Sequence, residues 1–289
     1  MQNQFSRTQL LLGKPAIDTL QGSRVAVFGV GGVGGYVVEV LARSGVGAID
    51  VIDDDFVSPS NINRQLLATH STVGLRKVDV AEKRIQDINP DCVVRKHPTF
   101  YLPENAGQFD FASYDYVVDC IDTVKAKLDI IRRCHDQGVP LLSCMGAAYK
   151  LDATLFEVTD IFKTINDPLA KVIRKKLRKT DIKHVKVVYS PEEPLESIGE
   201  PEEMPPTAIE TALQEARQRA DKPIPPASNA WVPATAGLIA GGEVVKDLVR
   251  RAGTMRIRPA EETESEAATD ARKAAECRSE EAARHSAQE

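Results

Sequence analysis

The stretch that most constrains this chain is Val25-Ala-Val-Phe-Gly-Val-Gly-Gly-Val-Gly-Gly35, which runs directly into Tyr36-Val-Val-Glu-Val-Leu41. A short β-branched run ending in glycine reads as a buried strand. Val33, Val37, Val40 and Leu41 then follow helical spacing, so the segment is strand, glycine turn, helix. Gly29, Gly31, Gly32 and Gly34 carry no side chain to block a ligand, so backbone N–H groups and the positive helix N-terminus can face an anion. The same glycines would also suit a tight turn needed for packing alone. A second strand, Ala48-Ile-Asp-Val-Ile-Asp53, ends in an acid placed where a ribose hydroxyl would be held. Together these predict a Rossmann-like nucleotide site, without selecting among NAD, FAD and adenylating enzymes.

A chain of 289 residues can bury a sizeable core without disulfide staples. It carries 42 acidic and 37 basic residues, of which nine and four lie from Ala260 onward, so the remainder is balanced. Nucleic-acid binding would therefore have to come from a local patch. The five cysteines, Cys92, Cys120, Cys134, Cys144 and Cys277, include no C-x-x-C pair, so no zinc is expected. The first residues lack the pattern of a secretory leader, and the expected location is cytoplasmic. Residues 230–245 form the longest apolar stretch but contain Pro233, three glycines and Glu243. That is shorter than the roughly 20 residues of a spanning helix, so a buried helix is expected and membrane association is disfavoured.

The remaining elements alternate along the chain. Residues 4–13 read as a short amphipathic helix carrying Arg7, which taken alone is a solvated side chain. The loop after Asp53, Asp54-Asp55-Phe-Val-Ser-Pro-Ser-Asn-Ile-Asn-Arg-Gln65, lies at a strand's carboxyl end, where open α/β sheets bind ligands. Arg64 could offer a fork to phosphate oxygens and Asp55 could help hold a hydrated Mg²⁺; a hydrogen-bonded surface loop is the plainer alternative. Lys77 opens a helix ending at Asn89-Pro90, where a cation opposes the helix dipole and suits a phosphate ligand. Further strands are expected at 92–95, 114–120, 140–146 and 151–158, with a helix over 124–136. Asp122 then follows the fourth strand, a place for a metal-facing carboxylate.

The set Gly29-x-Gly-Gly-x-Gly34, Asp53-x-Asp55, Asn61-x-x-Arg64-Gln65, Gly74-x-x-Lys77 and Asp119-x-x-Asp122, preceded by Phe5-Ser-Arg7, resembles the ubiquitin-activating-type adenylating enzymes, the ThiF/MoeB-like superfamily. The resemblance implies an α/β fold: a Rossmann-like, mostly parallel sheet with flanking helices and a smaller C-terminal extension of the sheet. It implies that the glycines, Asp53, Asp55 and Asn61 hold ATP, with Asp53 on the ribose. Arg64 and Lys77 would grip the triphosphate, and Asp122 with Asp55 would position Mg²⁺. Arg7 would reach the ATP of a neighbouring subunit, which implies a homodimer. The catalytic set is then Arg7, Arg64, Lys77 and Asp122.

The chain departs from activators of protein modifiers, which use a loop cysteine, because it has no cysteine between Met145 and Glu276. It has instead Asn166-Asp-Pro-Leu-Ala-Lys-Val-Ile-Arg-Lys-Lys-Leu-Arg-Lys179. Helical spacing puts Leu169, Val172, Ile173 and Leu177 on one face and Lys171, Arg174, Lys175, Arg178 and Lys179 on the other. Such a run can be a solvated face, but in a charge-balanced body it suggests a phosphate-backbone partner. This segment, followed by Val187-Val-Tyr-Ser190, resembles the family of tRNA threonylcarbamoyladenosine dehydratases. That resemblance implies ATP-dependent closure of the threonylcarbamoyl group on adenosine 37 of tRNA to a cyclic form, with tRNA as partner and not DNA.

The expected organisation is an ATP-binding part over 1–158 and a substrate-binding part of the same fold over 159–259, with the basic helix at 167–179. A mobile acidic loop is expected at 190–228 and a disordered tail at 260–289. A helix over 237–251 and a short strand over 255–258 close the folded part. Three alternatives stay open: an activator of a ubiquitin-like sulfur-carrier protein, a noncatalytic RNA-binding module, and a nicotinamide enzyme. No residue names a sulfur-transfer partner.

Overall fold

A computed structural model describes residues 3–198 and 226–256. Its seven-stranded sheet has the order β3-β2-β1-β4-β5-β7-β6. The strands are β1 (Arg24–Phe28), β2 (Ala48–Ile52), β3 (Val93–His97), β4 (Tyr116–Asp119), β5 (Leu141–Cys144), β6 (Glu157–Asp160) and β7 (Lys186–Tyr189). All pairs are parallel except β6 with β7. The helices are α1 (Ser6–Leu12), α2 (Lys14–Gly22), α3 (Gly34–Ser44), α4 (Lys77–Ile88), α5 (Val124–Gln137), α6 (Pro168–Leu177) and α7 (Val232–Arg251). This is the mostly parallel α/β architecture expected, with β6 and β7 as the C-terminal extension.

β1 is apolar throughout its centre because helices cover both of its faces. Val25 and Val27 pack with α3 and α7, whereas Ala26 and Phe28 face an aromatic cluster beneath α5. In that cluster Phe28 meets Tyr101 edge-on at 5.0 Å and stacks on Phe111 at 5.7 Å. α7 explains the long apolar stretch: a Cβ on Gly237 would lie 2.3 Å from the Val33 carbonyl, and one on Gly241 would lie 2.7 Å from Val40 Cβ. The two glycines let α7 lie directly on α3, and no described helix is long and apolar enough to cross a membrane.

Chain order places the ligand crevice. From β1 the chain steps outward to β2 and β3, then returns to β4 on the other side of β1. The loops leaving β1 and β4 therefore diverge at their carboxyl ends, which is where such sheets bind ligands.

Several boundaries differ from expectation. The strand expected over 151–158 begins only at Glu157, because Asp152 accepts the Thr154 N–H and caps a 3₁₀ turn over Ala153–Leu155. α2, not anticipated, fills the space between α1 and β1. α7 starts five residues earlier than expected. Met255 and Arg256 are irregular rather than strand, and the remainder of that expected strand lies outside the described residues. So do residues 199–225 of the expected acidic loop and the whole of the expected tail.

Candidate active site

A cleft of about 380 Å³ opens at the β1/β4 divergence. Gly29, Gly31, Gly32, Asp53, Asp55, Asn61, Arg64, Lys77 and Asp122 all line it. Three connections far apart in sequence, after β1, β2 and β4, thus deliver the nucleotide-site residues to one place. Gly34 and Arg7 do not line it. Gly34 opens α3, and Arg7 is exposed on α1, outside the cleft of its own chain.

The glycines divide into two kinds. Gly29 adopts φ +85°, and a Cβ on it would crowd the Cys120 carbonyl at 3.0 Å. A Cβ on Gly34 would lie 1.8 Å from the Gly29 carbonyl. Packing alone demands these two. Gly31 and Gly32 face ordinary contacts of 3.7 and 3.4 Å, so the fold leaves room there for something else to approach the backbone.

Asp53 anchors the cleft floor. One carboxylate oxygen accepts the Val30 N–H at 2.9 Å and the other the Asp55 N–H at 2.8 Å, so the acid ties the glycine turn to the loop after β2. Each oxygen keeps acceptor capacity for a hydroxyl. Burial pushes the Asp53 carboxyl above the usual range, opposed by the nearby Lys77 charge. Lys77 is 4% exposed, and its Nζ lies 2.9 Å from Asp55 Oδ2 and 3.9 Å from Asp53 Oδ1. A buried cation at the unfavourable end of a helix is thus compensated by two acids. Its backbone N–H donates to the Asp55 carbonyl, beside the bridge that pairs Phe56 with Arg76.

A 3₁₀ turn over Pro59–Asn61 is capped by the Asn61 side chain, which accepts the Ser58 N–H. Arg64 follows, with Nη1 donating to the Ser60 carbonyl and to Asn63 Oδ1, both at 2.8 Å. These bonds hold the guanidinium on the cleft wall. On the opposite wall, Asp119 Oδ1 accepts the Ile121 N–H at 3.1 Å and shapes the loop that presents Asp122, which is exposed. Hard carboxylate oxygens suit Mg²⁺. Asp53, Asp54 and Asp55 bring ligand atoms within 4.8 Å of one another, a trio that does not include Asp122.

Sequence reasoning left several lining residues unassigned. Thr99, Phe100 and Tyr101 follow β3, Ala147 and Ala148 follow β5, and Ser228 and Pro233 flank the start of α7. The signal for the first two groups was available, since every parallel strand ends at this edge. Cys120 also lines the cleft, but its hydrogen bond with Cys144 and its burial push the thiol well up, making it a poor nucleophile.

The basic residues line no part of the cleft: Lys171, Arg174 and Lys175 lie on α6, and Arg178 and Lys179 directly follow its end. Ala170, Ile173 and Leu177 are buried, and Lys171, Lys175, Arg178 and Lys179 are exposed. Two placements differ from expectation. Val172 is 42% exposed, and Arg174 turns inward, where Nη1 donates to the Thr164 carbonyl at 2.8 Å.

The sequence profile of the ThiF family matches residues 5–278. The chain belongs to the ThiF family. This ThiF-family chain is 47% identical over 262 residues to the tRNA threonylcarbamoyladenosine dehydratase of Bacillus subtilis, covering 89% of this chain and 99% of that protein. Among solved structures, the Escherichia coli tRNA N6-threonylcarbamoyladenosine dehydratase in complex with ATP matches with a TM-score of 0.74 at 33% identity, covering 86% of this chain and 95% of that one. The same enzyme in complex with AMP matches with the same values.

Proposed function

We propose that this chain dehydrates threonylcarbamoyladenosine at position 37 of tRNA to its cyclic form, using ATP to adenylate the threonyl carboxylate. The observation that carries this reading is the likeness to the Bacillus subtilis dehydratase over 99% of that protein's length. The assignment of roles is supported by one cleft that gathers two cations, a glycine turn and several carboxylates.

In this reading the Gly31 and Gly32 turn receives phosphate oxygens, Asp53 holds the ribose, and Asn61 supports the phosphate-binding loop. Arg64 and Lys77 neutralise charge as the carboxylate oxygen attacks the α-phosphate and pyrophosphate departs. Such preorganised donors are commonly worth about 10²–10³-fold each. Asp122 with Asp55 would hold Mg²⁺, which spreads the phosphate charge. The activated acyl carbon is then attacked from within the same side chain. One carboxylate oxygen leaves on AMP, which accounts for the loss of water. Holding both reacting groups on one substrate supplies an effective molarity of about 10⁵–10⁸ M. No protein nucleophile is needed, in keeping with the raised Cys120 thiol.

The alternative, activation of a sulfur-carrier protein, is separated by asking what drives AMP release. Release driven by threonylcarbamoyl-modified tRNA supports the dehydratase, and release driven only by a carrier protein with a glycine C-terminus contradicts it.

Three results follow at the level of the site. Gly31→Ala should keep near-native thermal stability yet weaken ATP binding, whereas Gly34→Ala should fail to fold natively; melts with and without ATP separate them. Native-like melting of Gly34→Ala would contradict the packing role. Neutralising Lys175, Arg178 and Lys179 together should weaken tRNA binding and lower the slope of log K against log salt by roughly 1 per lost phosphate contact. An unaltered slope would leave α6 as a solvated face. We also assign Arg7 to the cleft of a partner in a homodimer, acting in the cytoplasm. Mixing Arg7→Ala and Lys77→Ala chains should then restore up to about a quarter of wild-type turnover per mixed population, by random pairing of two chains. Mixed dimers without recovery would argue that Arg7 acts within its own chain.

A further inference from the structure

The chain has one tryptophan, and Trp231 is the only aromatic among the large apolar side chains that the described residues leave exposed, at 51%. It is open yet fixed. Its indole Nε1 donates to the Leu151 carbonyl at 2.7 Å. Its backbone N–H and that of Val232 donate to Asn229 Oδ1 at 3.2 and 2.9 Å, and Asn229 Nδ2 in turn donates to the Lys150 carbonyl at 2.8 Å. Ring edge and main chain are thus tied to the same loop, and the indole presents a plate with little rotamer freedom left to lose on contact.

The indole is outside the cleft lining, but residues on both sides of it in the chain belong to that lining. Pro233, two residues on, lines the cleft and lies against the glycine turn, 3.4 Å from where a Gly32 Cβ would be. Ser228, three residues earlier, also lines it and accepts a hydrogen bond from Asn63 at 3.1 Å. Beside the indole's anchor the Glu192 carboxylate accepts the N–H groups of Leu151 and Asp152, while the buried Lys150 Nζ donates to the Ser190 carbonyl at 3.1 Å. An exposed, fixed aromatic face of this kind accepts the flat face of a base.

We propose that Trp231 stacks on the purine of the tRNA nucleoside that carries the threonylcarbamoyl group. This rests on the dehydratase reading of the cleft. Only four bonds separate the purine N6 from the carboxylate carbon, roughly 5–6 Å when extended at about 1.3–1.5 Å per bond. The purine must therefore sit at the mouth of the cleft while its carboxylate reaches the α-phosphate. Unstacked bases of RNA loops are bound in this way, on aromatic side chains. Trp231 is then a positioning residue for the substrate.

The single tryptophan makes the test direct. The full-length protein is titrated with an anticodon stem-loop RNA carrying threonylcarbamoyladenosine at position 37, and with the same RNA abasic at that position. Quenching of the tryptophan emission by the first RNA and not by the second is expected. Equal quenching by both, or by neither, overturns the proposal. With modified tRNA as substrate, Trp231→Ala should raise KM about tenfold at nearly constant kcat, and Trp231→Phe should restore most of it. An unchanged KM in Trp231→Ala overturns the stacking role. Should that variant fail to fold, the paired titrations of the wild-type protein decide. Dehydration of the same tRNA by the wild-type protein is followed alongside. Product formed without these effects removes the stacking alone, and no product removes the dehydratase reading with it.

Discussion

Asp122→Ala and Lys77→Ala should each lower AMP release in the presence of modified tRNA by about 10²–10³-fold, the usual effect of deleting one group that meets transition-state charge. The two variants test different things. Asp122 is exposed and accepts a long hydrogen bond from the Thr123 hydroxyl at 3.4 Å, so its removal should leave the melting temperature almost unchanged. Lys77 is buried against Asp55 and Asp53, and its loss leaves two neighbouring acids without their cation. A stability cost should therefore accompany the lost activity. Both should still bind tRNA, as measured by filter binding, because the basic helix α6 lines no part of the cleft. Wild-type AMP release by either variant would contradict the assigned role.

A large stability effect is also expected one layer beneath the cleft. Lys127 and Asp119 are both fully buried, with Nζ 2.8 Å from Asp119 Oδ2 and 2.7 Å from the Cys144 carbonyl. Ser143 completes the cluster, donating to the same Asp119 oxygen at 2.6 Å. Removing one partner of such a pair strands a charge in the interior, which costs about 3–5 kcal/mol. For a domain of this size Lys127→Met should lower the melting temperature by about 10 °C. Exchanging both partners, Lys127→Met with Asp119→Leu, should recover much of the loss. The double variant should nevertheless stay slow, because Asp119 Oδ1 also holds the Ile121 N–H and so aims Asp122. A thermal melt of Lys127→Met within 2–3 °C of wild type, the span of about 1 kcal/mol, would show the pair to be dispensable.

Much of this site was legible before any coordinates, because the residues that line it sit in loops directly after apolar strands. Gly29 to Gly34, Asp53 and Asp122 each follow such a strand, and the rule that parallel sheets bind at their carboxyl edge brings them together. Arg64 and Lys77 were legible from charge in unexpected settings, a polar loop and a helix start. What stayed hidden depends on contacts between distant segments. Periodicity assigns Arg174 to the open face of α6, but it cannot register that the Thr164 carbonyl draws the guanidinium inward. The split between Gly29 and Gly34, held by packing, and Gly31 and Gly32, left open, needs the positions of carbonyls that no spacing reveals. Ser228 and Pro233 reach the cleft only because α7 lies back across α3, well over a hundred residues after the elements it joins. β6 begins late for a local reason, the Asp152 cap, which competes with extended structure.

The central claim is that the cleft uses ATP to activate a carboxylate on tRNA and that the substrate closes on itself. The direct measurement is mass spectrometry of nucleosides from threonylcarbamoyl-modified tRNA incubated with the purified protein, ATP and Mg²⁺. The account predicts that threonylcarbamoyladenosine is replaced by a nucleoside lighter by one water, with one AMP formed per conversion. Nucleosides of unchanged mass, under conditions in which ATP and the modified tRNA both bind, would contradict it.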